Sequence, residues 1–234
     1  MGLRSFLLVP AVSLTLGACV AVPSDTPNAT MDPQSAARNF VAVVNAIEPV
    51  AEAECRARNT NPLYNCDFQI VVDDRPGMPA NAFQTRDDQG RPIIVFTLAL
   101  INDVQNADEM AFVMSHEAAH HVLGHLDRQD VNAKMGAEVF GQLASLTGSA
   151  DPDAIRAAQE LGAAVGARSY SKAFELEADE LGTVIAAQAG FDPLRGAEFF
   201  FRIPDPANRF LSTHPPTAER VERVRAVAAT LGFS

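Results

Sequence analysis

Residues 115–125 read SHEAAHHVLGH, and four of the chain's five histidines lie within them. His116 and His120 are four apart, so on a helix they differ by only about 40° in azimuth and reach toward one point. Two neutral imidazoles one turn apart span two corners of a tetrahedron, which is why H-E-x-x-H suits zinc. Glu117 is turned about 100° from His116 and so sits beside a metal rather than on it. There it can serve as general base toward a water whose pKa zinc lowers to about 7. His121 and His125 lie about 100° and 140° past His120, off the shared face while the helix continues. They read as residues that cap, solvate or pack the helix end.

A third ligand has to come from another element. Glu175, in SKAFELEADELG (171–182), would complete a set of two histidines and one glutamate with a fourth position open for water. Asp179, one turn further on, is placed to accept the free N–H of a ligating imidazole. Spacing alone leaves a solvated acidic face as the alternative, and it excludes neither Glu138 nor Glu160.

SHEAAHHVLGH followed by E-x-x-A-D at Glu175–Asp179 resembles the metalloprotease family that contains HtpX, the mitochondrial inner-membrane protease Oma and the CAAX prenyl proteases. The likeness runs from NAFQT at Asn81, through the next hairpin and the motif helix, to AGFDP (189–193) and STHPP (212–216). It covers most of the chain beyond about residue 65 and implies a zinc endopeptidase acting on protein or peptide substrates. One Zn2+ per chain would be held by His116, His120 and Glu175, with Glu117 as general base. The implied fold is α+β: a mainly helical, zincin-like domain with a small sheet beside the active-site helix. His214 stands in STHPP, where two prolines stiffen the loop and keep it out of a helix. By the resemblance it faces the open zinc position, either steadying the oxyanion or temporarily taking the water's place. The strand at Asn81, Ala82 and Phe83 could act as an exposed edge, adding an extended peptide by main-chain hydrogen bonds with weak side-chain specificity.

Two departures from the family bear on the expectation. Membrane-embedded relatives carry hydrophobic spans between the two motif helices, whereas MGAEVFGQLASLTG and LGAAVGA are short and broken, implying a hairpin over the cleft. Periplasmic relatives can carry a C-terminal helical-repeat domain, and recruitment through such repeats is not expected of residues 34–234.

The opening MGLRSFLLVPAVSLTLGAC has one cation, Arg4, an apolar run from Phe6 to Leu16, and then small residues. That is a secretory signal pattern. Leu16-Gly17-Ala18-Cys19 fits a bacterial lipobox at all four positions, so residues 1–18 are expected to be a signal and Cys19 a lipidated N-terminus. Residues 19–33, with three prolines, form a tether, and 34–234 one metallopeptidase domain. Val20 after the cysteine favours the outer membrane, facing the periplasm. In that oxidising compartment Cys55 and Cys66 are expected to pair. The formal charge is −11 with no basic cluster, which removes the electrostatic basis for nucleic-acid binding and leaves acyl chains as the attachment to a membrane. The oligomeric state is not legible.

Periodicity places a first helix after Asp32-Pro33, kinked or ended at Pro49 with a second piece to about Arg58, a strand at FQIVV (68–72), and a hairpin of NAFQT and PIIVFT turning at Gly90. The motif helix starts near Asn106 with Met110, Val113, Met114, Val122 and Leu123 as a core-facing stripe. A helical hairpin turning at 148–152 follows, then a helix from about Ser169 to Ala189 stopped by Gly190, and a last helix from near Pro216. The combined expectation is an endopeptidase of misfolded or unassembled envelope proteins. The rival is a non-proteolytic zinc lipoprotein serving as chaperone or assembly factor, which has no use for an intact Glu117.

Overall fold

The computed structural model describes residues 31–147, 151–168, 171–202, 214 and 218–234. The expected signal, Cys19, the tether up to Thr30, the turn at 148–150 and the prolines of STHPP therefore lie outside the described residues.

Helix α1 (Pro33–Arg58) opens where Asp32 Oδ1 accepts from the N–H groups of Gln34 and Ser35 at 3.1 Å, with Pro33 at the first helical position. The sequence predicts a kink or an end at Pro49; the helix does not end there and runs on to Arg58. A proline costs a helix interior about 3 kcal/mol. Here the face Phe40, Val43, Ile47, Ala51 and Cys55 is buried on both sides of it, and Phe40, Val43 and Ile47 each return roughly 1.5–3 kcal/mol. At the helix end a Cys55–Cys66 disulfide joins α1 to the segment entering the sheet.

The sheet has three strands, β1 (Gln69–Asp73), β2 (Ala82–Arg86) and β3 (Pro92–Thr97), in the order β1-β3-β2. β3 pairs parallel with β1 and antiparallel with β2, setting Ala82 opposite Phe96 and Phe83 opposite Val95. The hairpin turns at Gly90, whose φ of 79° is available to glycine at little steric cost. β2 is therefore an edge strand. Thr97 then caps the short α2 (Leu98–Asp103).

Helix α3 (Ala107–Val122) starts at Asn106, whose side chain accepts from the Glu109 N–H at 3.0 Å. The expected one-sided stripe is incomplete: every residue from Glu109 to Val122 is buried. α3 is the central helix, enclosed by α1, the sheet and the helices that follow. The polar residues of its motif are thus held inside the protein. A left-handed Gly124 (φ 66°) ends it, and α4 (His125–Leu146) begins at the next residue.

α4 and α5 (Pro152–Arg168) form an antiparallel hairpin that packs chiefly on itself. α6 (Ser171–Gln188) returns along α3; α7 (Pro193–Ala197), α8 (Phe199–Arg202) and α9 (Ala218–Thr230) close the other side. No helix among the described residues is long and apolar enough to cross a membrane.

Candidate metal centre

α3 and α6 meet so closely that a Cβ on Gly182 would stand 3.1 Å from the backbone of His116. That approach brings Glu175 and Asp179, about two turns and one turn before Gly182, within reach of the α3 histidines. His116 Nε2 and His120 Nε2 lie 3.1 Å apart, and each is 3.4 Å from a different oxygen of Glu175. Ligands held about 2.0–2.2 Å from one tetrahedral ion stand roughly 3.3–3.5 Å from each other. Two imidazole nitrogens and one carboxylate at this spacing fit zinc in both geometry and donor chemistry. His214 joins them: its Nδ1 is 3.2 Å from His116 Nε2 and 2.9 Å from Glu175 Oε2. The four residues can each turn one donor atom to within 4.8 Å of all the others.

Electrostatics favour a cation beside the buried carboxylates while keeping His120 neutral, the form in which an imidazole ligates a metal. Burial pushes His116 down, but Asp179 and Glu175 outweigh it and raise its pKa to about 9. Burial dominates at His120 and lowers it to about 3. Glu175 is held far below the carboxylate range: burial opposes this, and hydrogen bonds from His116, His120 and His214 overcome it. A divalent cation would satisfy all of these groups together.

Behind the donors lies a supporting layer. His116 Nδ1 is 3.0 Å from Asp179 Oδ1. Asp179, wholly buried, accepts a two-pronged interaction from Arg220 of α9 at 2.5 and 2.7 Å. Arg220 also donates to the His214 carbonyl at 2.9 Å and stands 3.0 Å from Glu175. One buried guanidinium therefore ties together the acidic helix, the His214 segment and the last helix. On the other side His120 Nδ1 is 2.7 Å from His125 Nδ1. The His125 ring stacks on Phe174 with centroids 4.5 Å apart, and its Nε2 is 3.2 Å from Glu177, which Arg128 holds in turn.

Glu117 is buried, lies beside the donor set with Oε1 3.4 Å from His214 Nε2, and that oxygen accepts no hydrogen bond among the described residues. It faces a cleft of about 220 Å3 lined also by Phe83, His120, Gln129, Glu175 and His214. Of the three residues of the edge strand motif, only Phe83 reaches the cleft. Ala82 is fully buried, and Asn81 is fastened by its backbone to Thr97. Glu138 and Glu160, left open as ligands by spacing, are exposed on the hairpin and absent from the cluster. His121 faces the other way: its ring donates to the Asn65 carbonyl at 2.8 Å and packs beside Tyr64 and Phe68.

Sequence reading missed Arg220 and the contact of His125 with His120. The signal for Arg220 was a cation sharing one helical face with Val224 and Ala228, a stripe that proves buried. A continuing helix carries His125 away from His120, and even a helix ended at Gly124 reads as leaving too short a path to bring it back. The left-handed Gly124 breaks that geometry and returns the ring to the back of His120.

Comparison with known proteins gives a family match over most of the chain: the model of peptidase family M48 fits residues 43–228. The beta-barrel assembly-enhancing protease of Escherichia coli (strain K12) is 31% identical over 144 residues, 56% of this chain and 30% of that protein. The protein of Shigella flexneri with the same name matches equally. A Vibrio cholerae protein, provisionally given that name, is 36% identical over 118 residues, 48% of this chain and 24% of its own length. Each match covers less than a third of the relative.

Proposed function

The chain belongs to peptidase family M48, and from that premise we propose that it is a zinc-dependent endopeptidase. The observation that carries the reading is the convergence of His116, His120 and Glu175 at ligand spacing, with the buried Glu117 carboxylate beside them. When bound, zinc would supply Lewis acidity toward a peptide carbonyl and toward water. Glu117 takes the proton of the attacking water and delivers it to the leaving amine. Asp179 and His125 hold the two imidazoles in orientation from behind. The β2 edge offers main-chain groups to an extended peptide, with Phe83 beside the scissile bond. A segment bound this way has to be unfolded where it is cut, so the substrates are misfolded or unassembled proteins.

His214 closes the cleft at rest. Its Nδ1 stands amid the donor set and its Nε2 toward Glu117, the space that water and a carbonyl oxygen need. Opening would swing this imidazole to the side, where it can steady the oxyanion.

The lipobox at Leu16–Cys19 supports a lipoprotein facing the periplasm, tethered to the outer membrane. That location and the names of the relatives make envelope proteins the substrate class. The deciding experiment compares casein hydrolysis by wild type and Glu117→Gln at equal zinc content. Loss of at least about 100-fold is expected for removal of a general base. Equal activity would exclude this site as the source of hydrolysis and leave the chaperone reading.

A further inference from the structure

The hairpin of α4 and α5 carries more exposed apolar surface than any other part of the described chain. On α4, Val131, Met135, Val139, Leu143 and Leu146 are 53–84% exposed; on α5, Leu161 and Val165 are 58% and 44% exposed. These spacings of three and four make one row on each helix.

Glycines explain why the large side chains face outward. A Cβ on Gly136 would lie 2.1 Å from the Gly162 carbonyl oxygen, and one on Gly166 2.1 Å from that of Asn132. The helices therefore touch backbone to backbone, and their inner faces have no room for large residues. At 100° per residue, the apolar row of α4 is centred about 110° to one side of its packed face, with Arg128, paired to Glu177, at the base of that row, and Asp127, Asp130, Lys134 and Glu138 fall on the other. In α5 the apolar row stands about 100° from its packed face, again with charges (Asp153, Arg156, Glu160) on the opposite flank. Because the helices are antiparallel, both apolar rows come to the same side. The hairpin is a two-helix plate, greasy on one face and charged on the other.

We propose that this plate is a dimerisation arm, which pairs with the hairpin of a second copy of the chain to form a four-helix bundle. Half of such a bundle is two antiparallel helices with one shared apolar face. An isologous two-fold contact lets that face cover itself. The open apolar residues amount to on the order of 700 Å2, above the few hundred Å2 usual on a monomer and near the ~800 Å2 per partner of a stable interface. A bilayer is the poorer match. Interfacial helices set Lys and Arg along the polar face and Trp or Phe on the other; here that flank is mostly acidic and the exposed row has no aromatic residue. The cleft stays open in the pair, since His120, Gln129 and Glu175 lie at the base of the hairpin or off it.

The test is sedimentation equilibrium of residues 19–234 carrying Cys19→Ser, so that neither the apolar signal segment nor an acyl chain drives association. Two chains per particle at tens of micromolar are expected. Val139→Glu with Leu143→Glu should weaken association by at least 100-fold while leaving the far-UV circular dichroism spectrum unchanged. Met135→Gln with Leu161→Gln, milder and on both helices, should weaken it in the same direction. Single-chain particles for the parent protein would overturn the proposal whatever the variants do, as would a dimer that survives in folded variants of both kinds. Single chains that co-float with phosphatidylcholine vesicles, and cease to when the row is charged, would assign the face to a bilayer and likewise overturn it. Particle mass reads the proposal independently of turnover, so it can fail without the peptidase reading, and the reverse.

Discussion

Arg220→Met removes one cation that Asp179, Glu175 and the His214 carbonyl share. The wild-type residue is 1% exposed, and Asp179, which it grips at 2.5 and 2.7 Å, is fully buried. Burial raises the Asp179 pKa, and Arg220 and then His116 pull it below the ordinary range. Without the guanidinium, that carboxylate keeps, among the described residues, only His116 Nδ1, and Glu175 and the His214 carbonyl each lose a neighbour. Removing one member of a buried pair costs about 3–5 kcal/mol. For a chain of this size 1 kcal/mol corresponds to roughly 2–4 °C in Tm, so a fall of about 6–20 °C is expected. Thermal unfolding of the full chain, followed by far-UV circular dichroism in chelator and then in zinc, measures it. Since the same residue orients His116 through Asp179, zinc affinity should also drop by about 10–100-fold. Adding Asp179→Leu to Arg220→Met should restore part of the loss, because no orphaned charge then remains. A single variant within 2 °C of wild type, or a double variant with the full sum of both losses, would refute this reasoning.

His125→Phe keeps the stack on Phe174 but removes the nitrogen 2.7 Å from His120; zinc affinity by competition with a chelator should fall about 10–100-fold, with little change in Tm. Replacing Cys55 and Cys66 by serine opens a link of sequence separation 11 and should cost about 3 kcal/mol by loop entropy, read as a lower urea midpoint with the fold retained. His214→Ala should change turnover of a short peptide or zinc retention; if both stay as in wild type, the residue has no part at the centre.

The proposed ligands His116 and His120 were legible because helix period alone aims them at one point. For Glu175, spacing left a solvated acidic face, Glu138 and Glu160 open, and only the family resemblance of E-x-x-A-D at Glu175–Asp179 chose it. Caps were legible too: Asp32 before Pro33, Asn106 before α3, and glycine at the hairpin turn act within three or four residues. What failed depended on the surroundings. Pro49 does not end α1, because packing on both sides outweighs one lost hydrogen bond. The one-sided stripe foreseen for α3 became burial all round, which requires knowing that α1, α6 and the sheet enclose it. His125 and Arg220 lie beyond reach of periodicity for related reasons. One depends on a single left-handed residue, the other on a helix some forty positions from its carboxylate partner.

The account turns on a zinc ion among His116, His120 and Glu175. Anomalous diffraction from crystals of the zinc-loaded protein, recorded on both sides of the zinc edge, tests it most directly. The account predicts one strong peak per chain, about 2.0–2.2 Å from the Nε2 atoms of His116 and His120 and from a carboxylate oxygen of Glu175. No peak there, or a peak with Glu175 turned away from both imidazoles, would contradict it.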